Sequence, residues 1–141
     1  MNLAVIGSGG REHAICYKLK QSSKIKKLFC IPGNAGTQKI AKNIKADISN
    51  FDKLYQVIKK NKIELVIVGP EQPLVDGIVD YLNKKKVRVF GPDKYASQLE
   101  GSKAFMKNLC RKHNIPTANF GIFDNFDHAS KFIKKNGAPI V

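Results

Sequence analysis

Residues 2–14 read NLAVIGSGGREHA and contain the first βα unit of the fold. The run LAVI is typical of a buried strand, and a segment of helical period begins at Glu12. The turn between them, residues 7–10, holds three glycines and places a helix N-terminus directly after the strand. Such a unit predicts an α/β domain built around a parallel sheet.

Working outward, short apolar runs alternate with helical segments and with turns rich in Gly, Pro and Asn. The pattern predicts strands over 2–6, 27–31, 44–46, 65–68 and 87–90, and helices over 12–20, 51–60 and 74–83. Ser49 or Asn50 can cap the second helix. The predicted fold is therefore α/β, with a Rossmann-like parallel sheet of about five strands.

The pattern changes after Gly91-Pro92, and we place a domain boundary near residue 100. Beyond the last strand the sequence predicts helices around 95–99 and 103–113, a strand over 120–123, a helix over 127–136 with Ala129, Phe132 and Ile133 facing inward, and a strand at Ile140 after a turn over 137–139. Two domains follow, residues 1–100 and residues 101–141, and we expect the second to be incomplete.

Charge limits the choice of partners. The 141 residues carry a net charge of +14, and 22 of the 25 basic residues are lysine. These lysines are scattered along the sequence without interleaved aromatic residues, so we predict no nucleic-acid partner. No apolar run approaches the length of a membrane helix. Because the sequence opens without a basic leader segment or cleavage site, we expect the protein in the cytoplasm.

Cysteine and histidine spacing argues against crosslinks and metal centres. Cys16, Cys30 and Cys110 form no C-x-x-C pair, so they are predicted to be buried thiols rather than disulfide partners or zinc ligands. The three histidines match no metal-ligand spacing.

The glycine loop GSGGRE, residues 7–12, has two possible interpretations, a phosphate-binding loop and a structural turn. It lacks the third glycine of a dinucleotide fingerprint, because Glu12 occupies that position, and the second strand is not followed by an acidic residue. The loop is thus either a phosphate cradle formed by Gly9 and Gly10 or a plain tight turn. Arg11 favours an anion site because its guanidinium adds a bidentate donor.

Two further loops follow the second and fourth predicted strands. They are PGNAGT, residues 32–37, with Asn34, and VGPEQPL, residues 68–74, with Glu71. Loops at the carboxyl ends of neighbouring parallel strands meet at one crevice. Each loop is either a structural turn or part of a ligand site there, and Glu71 either stabilises a helix start or binds a substrate hydroxyl or amine.

A fourth motif, QLEGSK, residues 98–103, lies at the predicted domain boundary. It is not a P-loop, because that motif follows the first strand. Lys103 is either a solvated helix residue or a phosphate contact in a cleft between domains.

Taken together, the ordered motifs resemble the glycinamide ribonucleotide synthetase family. The strings that carry the resemblance are GSGGREHA at 7–14, PGNAGT at 32–37, VGPEQPL at 68–74, FGP at 90–92, QLEGSK at 98–103, IPTA at 115–118 and GAPIV at 137–141. Members are ATP-grasp ligases in which ATP phosphorylates glycine and the amine of 5-phosphoribosylamine displaces the phosphate to form an amide.

The resemblance implies a role for each segment. Residues 1–100 would be the pre-ATP-grasp domain, with Gly9, Gly10, Arg11, Asn34 and Glu71 lining the phosphoribosylamine side. Residues 101–141 would begin the ATP-grasp domain, with Lys103 near the nucleotide phosphates. The full enzyme would use ATP with Mg²⁺ or Mn²⁺ and would be a monomer acting on small molecules.

The sequence departs from the family in length. The family's second phosphate-binding lysine, glycine-rich flap and metal ligands have no counterpart within the 141 residues, so we expect no catalytic residue in this chain and no activity from it alone. Alternatives are a non-catalytic phosphoribosyl- or nucleotide-binding module and a basic nucleic-acid-binding protein.

Overall fold

The computed structural model describes residues 1–137, which belong to two compact units, Met1–Gly101 and a second that begins at Ser102. The strands of the first unit are β1 (Asn2–Gly7), β2 (Lys27–Pro32), β3 (Lys42–Asn43), β4 (Leu65–Val68) and β5 (Arg88–Phe90). Its helices are α1 (Gly10–Lys20), α2 (Phe51–Lys60), α3 (Glu71–Asp76), α4 (Ile78–Lys84) and α5 (Gln98–Gly101), with one 3₁₀ turn at Thr37–Lys39.

The five strands form one sheet in the order β3-β2-β1-β4-β5, and every neighbouring pair is parallel. This order confirms the predicted Rossmann-like α/β fold. The chain leaves β1 toward β2 on one side and returns to β4 on the other, so the order reverses between β1 and β4. Ligands of open α/β sheets bind at such a reversal, beyond the carboxyl ends of the strands.

The sheet is covered on both faces, as its uninterrupted apolar strands require. Along β1, Ala4 and Ile6 face one layer, which includes Leu54 of α2 and Leu82 of α4. The intervening Leu3 and Val5 face the other layer, which includes Cys16 of α1. Alternation of side chains along a strand produces these two separate cores.

The three cysteines are buried and free, which confirms the prediction of core thiols. Contact with the Cys30 thiol, and then burial, raises the pKa of Cys16. The Cys16 thiol therefore stays protonated and packs as a small apolar group.

Most predicted elements agree with the structure to within one or two residues. Helix α2 and strand β4 have the predicted bounds. Asn50 caps α2, because its side chain accepts a hydrogen bond from the backbone N–H of Lys53 at 3.0 Å.

Three elements of the first unit differ from the prediction. The helix predicted around 95–99 is the short α5 at Gln98–Gly101, because residues 94–97 form a turn. The predicted helix over 74–83 is two helices, because Gly77 takes a left-handed conformation with φ of 96° and ends α3. The predicted strand over 44–46 is wrong: the ladder pairs Cys30 with Asn43 and ends there. Ile44 and Ala46 pack against the core instead of continuing the strand.

The second unit contains α6 (Lys103–Lys112) and α7 (Phe126–Asn136). The predicted strand over 120–123 is wrong, since no residue of the unit up to Gly137 pairs with it. Its aromatic rings pack on helices instead: Phe120 lies under the Arg111 guanidinium at 4.4 Å, and Phe123 contacts Phe132 at 5.2 Å between ring centroids.

The prediction that Ala129, Phe132 and Ile133 of α7 face inward is confirmed for two of the three residues. Ala129 and Phe132 are half-buried, whereas Ile133 is 50% exposed. The predicted strand at Ile140 lies outside the described residues.

Candidate functional site

The crevice at the carboxyl ends of β1 and β4 is formed by three loops of the first unit. Residues 7–10 follow β1, residues 33–37 follow β2, and residues 69–71 follow β4. The second and third loops begin beside the end of β1, because the Gly33 N–H donates to the Gly7 carbonyl at 3.1 Å and the Gly69 N–H donates to the Ile6 carbonyl at 3.1 Å. The convergence expected from the sequence is thus present in the structure.

The glycine loop presents a helix N-terminus to this crevice. Gly7 has a φ of 124°, which few other residues adopt, and it turns the chain sharply out of β1. Gly9 is the N-cap of α1, and Ser8, Gly9 and Gly10 are exposed. A side chain at Gly10 would meet no atom within 4 Å, so open space lies over this loop. The first N–H groups of a helix lack intrahelical acceptors and can bind an anion.

Glu12 lies beneath the loop and contacts it, a position that the sequence did not predict. Its side chain is 3% exposed, and its Oε2 accepts a hydrogen bond from the Gly9 N–H at 2.6 Å. The carboxylate fits between the ends of β1 and β4: an added Cβ at Gly69 would lie 2.2 Å from Oε1, and one at Gly7 would lie 2.6 Å from Cγ. The available signal was a glutamate three residues after an N-cap, which is the pattern of a capping box.

The Asn34 side chain joins the second loop to the first. Its Nδ2 donates to the Ser8 carbonyl at 2.7 Å, and its Oδ1 accepts from the Thr37 N–H at 2.9 Å. Thr37 is fully buried and bonds to both Asn34 and Asn43. Asn34 therefore positions the glycine loop through its own amide.

Arg11 and Glu71 face each other across the crevice. Their side chains form an ion pair with an Nη2–Oε2 distance of 2.8 Å and are 71% and 55% exposed. The hydrogen bond from Arg11 lowers the pKa of the Glu71 carboxyl, and the same bond raises the pKa of Arg11. Water screens a pair this exposed, so its contribution to folding is small. Arg11 keeps further N–H donors with which to bind an anion.

Lys103 belongs to the second unit. It is the exposed first residue of α6, directly after Ser102, whose hydroxyl caps the helix by accepting from the Phe105 N–H at 3.2 Å. The structure thus brings together five of the predicted site residues in the first unit: Gly9, Gly10, Arg11, Asn34 and Glu71. The sixth, Lys103, lies in the second unit.

Residues 1–137 include no group of three or more His, Cys, Asp and Glu side chains that could hold a metal ion. The metal ion that the resemblance implies for the full enzyme thus has no ligand set among these residues. Over the same residues, no helix has the length and apolar character needed to cross a membrane.

The fold and the crevice define an α/β protein of Rossmann type with a glycine loop suited to a phosphate group. Two family models together match the whole chain: the N domain of phosphoribosylglycinamide synthetase matches residues 1–100, and its ATP-grasp (A) domain matches residues 101–141. The chain belongs to the phosphoribosylglycinamide synthetase family.

Relatives with curated names agree with this assignment. A phosphoribosylamine–glycine ligase of Caldanaerobacter subterraneus is 45% identical over 141 residues, which is all of this chain and 34% of the relative. One from Rhodopirellula baltica is 51% identical over 133 residues, covering 94% of this chain and 30% of the relative. The chain thus spans about a third of the length of these relatives.

Solved structures show the same fold. The phosphoribosylamine–glycine ligase of Thermotoga maritima superposes with a TM-score of 0.71 at 28% identity, over 96% of this chain and 30% of that one. The N5-carboxyaminoimidazole ribonucleotide synthetase of Thermus thermophilus reaches a TM-score of 0.69 at 17% identity, over 97% of this chain and 37% of that one. The second similarity shows a shared fold alone.

Proposed function

We propose that this chain forms the amino-terminal part of a phosphoribosylamine–glycine ligase of purine biosynthesis. The complete reaction joins glycine to 5-phosphoribosylamine, consumes ATP, and releases glycinamide ribonucleotide, ADP and phosphate. Residues 1–100 would serve as the pre-ATP-grasp domain and residues 101–141 as the start of the ATP-grasp domain. We expect a cytoplasmic, monomeric full enzyme.

The observation that carries this proposal is the glycine loop over the N-terminus of α1 at the reversal of the sheet. Exposed Gly9 and Gly10 leave room for a phosphate to approach the backbone, and the helix dipole favours its negative charge. We assign the phosphate of phosphoribosylamine to this position. Because Glu12 takes up the Gly9 N–H, the N–H groups that follow Gly9 would bind that phosphate.

Arg11, Asn34 and Glu71 complete the proposed substrate side. The Arg11 guanidinium would donate to the phosphate with the N–H groups that Glu71 does not use. The Glu71 carboxylate, which has a lowered pKa, stays ionised near neutral pH and can accept hydrogen bonds from ribose hydroxyls. Asn34 would act indirectly, because its amide already bonds to Ser8.

We propose no catalytic residue within this chain. Lys103 is an exposed cation suited to a nucleotide phosphate, and we propose that contact for it. In the complete enzyme, the ligands of Mg²⁺ or Mn²⁺ would lie outside residues 1–137, which hold no acidic cluster for a metal ion. We therefore expect the 141-residue chain alone to make no glycinamide ribonucleotide.

A second candidate is a non-catalytic module that binds a phosphoribosyl compound or a nucleotide. It is supported by the glycine loop, whose exposed Gly9 and Gly10 can admit a phosphate to the helix N-terminus without any catalytic residue. Both candidates bind a phosphate at the glycine loop, but only the ligase forms an amide bond.

Binding of ribose 5-phosphate to the 141-residue chain tests the shared site. We expect Arg11→Ala to weaken binding about tenfold, the loss of one charge-assisted contact. Arg88→Ala is the matched control, because Arg88 is an exposed arginine of β5 outside the three loops, and it should leave the dissociation constant unchanged. Calorimetric titration measures both. Equal affinity of wild type and Arg11→Ala would remove Arg11 from the site.

An activity assay then separates the two candidates. The protein that carries this chain in its source cell is purified and given glycine, ATP and phosphoribosylamine generated in the assay. Formation of the amide product supports the ligase. Binding of ribose 5-phosphate without product formation supports the non-catalytic module.

A further inference from the structure

A basic groove lies at the end of the sheet opposite the candidate site. It encloses about 840 Å³ and includes Asn2 and Lys27, the first residues of β1 and β2. The edge strand β3 contributes Lys42, and the end of α2 contributes Lys60. Because all the strands are parallel, these amino-terminal ends lie far from the carboxyl-end crevice.

Seven of the 14 residues that line the groove are lysine, whereas lysine makes up 22 of the 141 residues of the chain. All seven are exposed. They are Lys20, Lys26, Lys27, Lys39, Lys42, Lys60 and Lys62. Lysines that are scattered along the sequence are thus gathered by the fold around one concave surface.

Among residues 1–137, no acid forms an ion pair with the lysines of the groove. The groove's lining includes no Asp or Glu, and the one ion pair within residues 1–137 joins Arg11 to Glu71 in the crevice. Glu64 lies beside the groove, because its Oε1 accepts a hydrogen bond from the Asn2 N–H at 2.8 Å. Seven like charges around one groove repel each other and create a positive potential that an anion would relieve.

Local structural roles account for only some of these lysines. Lys42 protects an exposed sheet edge from pairing, and Lys20 and Lys60 complement the dipoles of α1 and α2 in their last turns. Neither reason applies to Lys26, Lys27 or Lys62. What these three lysines share is that they line the groove.

The side chains of the groove indicate which anion fits. Lysines bind phosphate oxygens as point charges, whereas the planar guanidinium of arginine is better suited to reading base edges. The groove's aromatic residue, Phe29, is 3% exposed and offers no face on which an unpaired base could stack. The backbone of a duplex fits these side chains, because it presents a row of phosphates to the lysines and its paired bases need no aromatic ring on which to stack.

We propose that this groove binds the phosphate backbone of a double-stranded nucleic acid without sequence preference. This inference is independent of the ligase proposal, because it uses the opposite end of the sheet. It changes the expectation drawn from the sequence, where the lysines had no visible arrangement.

The test is fluorescence anisotropy with two unrelated DNA duplexes of about twenty base pairs, titrated with the 141-residue chain at several salt concentrations. We expect equal affinities for the two duplexes and a log–log salt slope of about −3 or steeper. We expect weaker binding to a single strand of the same length.

Two triple variants with the same change in charge locate the surface. Lys26→Gln, Lys39→Gln and Lys60→Gln together should weaken duplex binding at least about tenfold and reduce the slope by about 3. The control is Lys131→Gln, Lys134→Gln and Lys135→Gln on α7, which should stay within about twofold of wild type. A third variant with arginine at 26, 39 and 60 should retain binding, and circular dichroism confirms that each variant is folded.

Several outcomes overturn the proposal. Equal weakening by both glutamine triples would mean that net charge alone attracts the duplex. Absence of binding at low salt, or a stronger preference for the single strand, contradicts the duplex directly. Tighter binding of vesicles rich in anionic lipid, with the same dependence on the groove lysines, would assign the groove to a membrane surface instead.

Discussion

The carboxylate of Glu12 sets the spacing between the two central strand ends. It bonds to the Gly9 N–H on one side and lies against Gly69 on the other, and its Oε1 has no hydrogen-bond partner among the described residues. A buried carboxylate with one unsatisfied oxygen is costly. The hydrogen bond to the Gly9 N–H ties this carboxylate to the glycine loop and holds the loop in place.

This packing predicts that an added methyl group affects stability far more at Gly69 than at Gly10. Gly69→Ala should destabilise the fold by about 1–3 kcal/mol, because the added Cβ would overlap the buried Glu12 carboxylate. Gly10→Ala should change the free energy of unfolding by less than about 1 kcal/mol, because its Cβ would enter open space. Urea unfolding of both variants measures the difference. Equal stability of the two would show that Glu12 can move aside freely.

Helices α2 and α4 are joined by a cluster of side chains rather than by apolar packing alone. The Tyr81 hydroxyl of α4 donates to the Asp52 carboxylate of α2, and the rings of Tyr81 and Phe51 are 5.6 Å apart. The Lys85 ammonium lies 5.5 Å from the Tyr55 ring and 5.6 Å from the Tyr81 ring. These contacts fix the two helices on the same face of the sheet.

The hydrogen bond to Asp52 raises the pKa of Tyr81 to about 12. Because the folded pKa lies above the unfolded value near 10, the bond's contribution to stability is complete below pH 10 and is lost as the pH rises through about 12. Asp52→Asn should return the pKa of Tyr81 toward its ordinary value. NMR titration of tyrosine ring carbons measures the shift, with Asp47→Asn as the control. An unchanged pKa in Asp52→Asn would rule out this bond in solution.

The two units of the chain differ in how much apolar surface they bury. The first unit has two buried clusters on a five-stranded sheet. In the described part of the second unit, Cys110 alone is buried, and Ile115, Ile122 and Phe126 are exposed. Burial of apolar area is the main source of stability, so the second unit is expected to open more readily.

Hydrogen exchange followed by mass spectrometry tests this difference. Amides of β1, β2 and β4 should exchange at least about a hundredfold more slowly than those of α6 and α7, a gap of about 3 kcal/mol in opening free energy. Helix α2, in the first unit, is the helical control and should exchange slowly. Equal protection of α2 and α7 would contradict the expectation.

The sequence was sufficient for the elements whose signals are local. The run LVIV at 65–68 and the capped amphipathic segment at 51–60 have the bounds expected from periodicity and from the Asn50 cap. Phe120–Phe123 shows the limit of this reasoning, since a β-prone run becomes a strand only if a partner strand is adjacent. Here the rings of Phe120 and Phe123 pack against helix residues instead, namely Arg111 of α6 and Phe132 of α7.

The ordered motifs also identified the family and the three loops of the site, because glycines, prolines and charged residues at strand ends are visible in one dimension. Contacts between distant segments were not visible. The ion pair of Arg11 with Glu71, the Asn34 amide on Ser8 and the burial of Glu12 against Gly69 join loops up to 60 residues apart. The gathering of seven lysines around one groove is of the same kind, because side-chain proximity depends on the order in which the strands pair. Local propensity and motif order thus predicted the elements and the family, and the parallel strand order 3-2-1-4-5 produced the site and the groove.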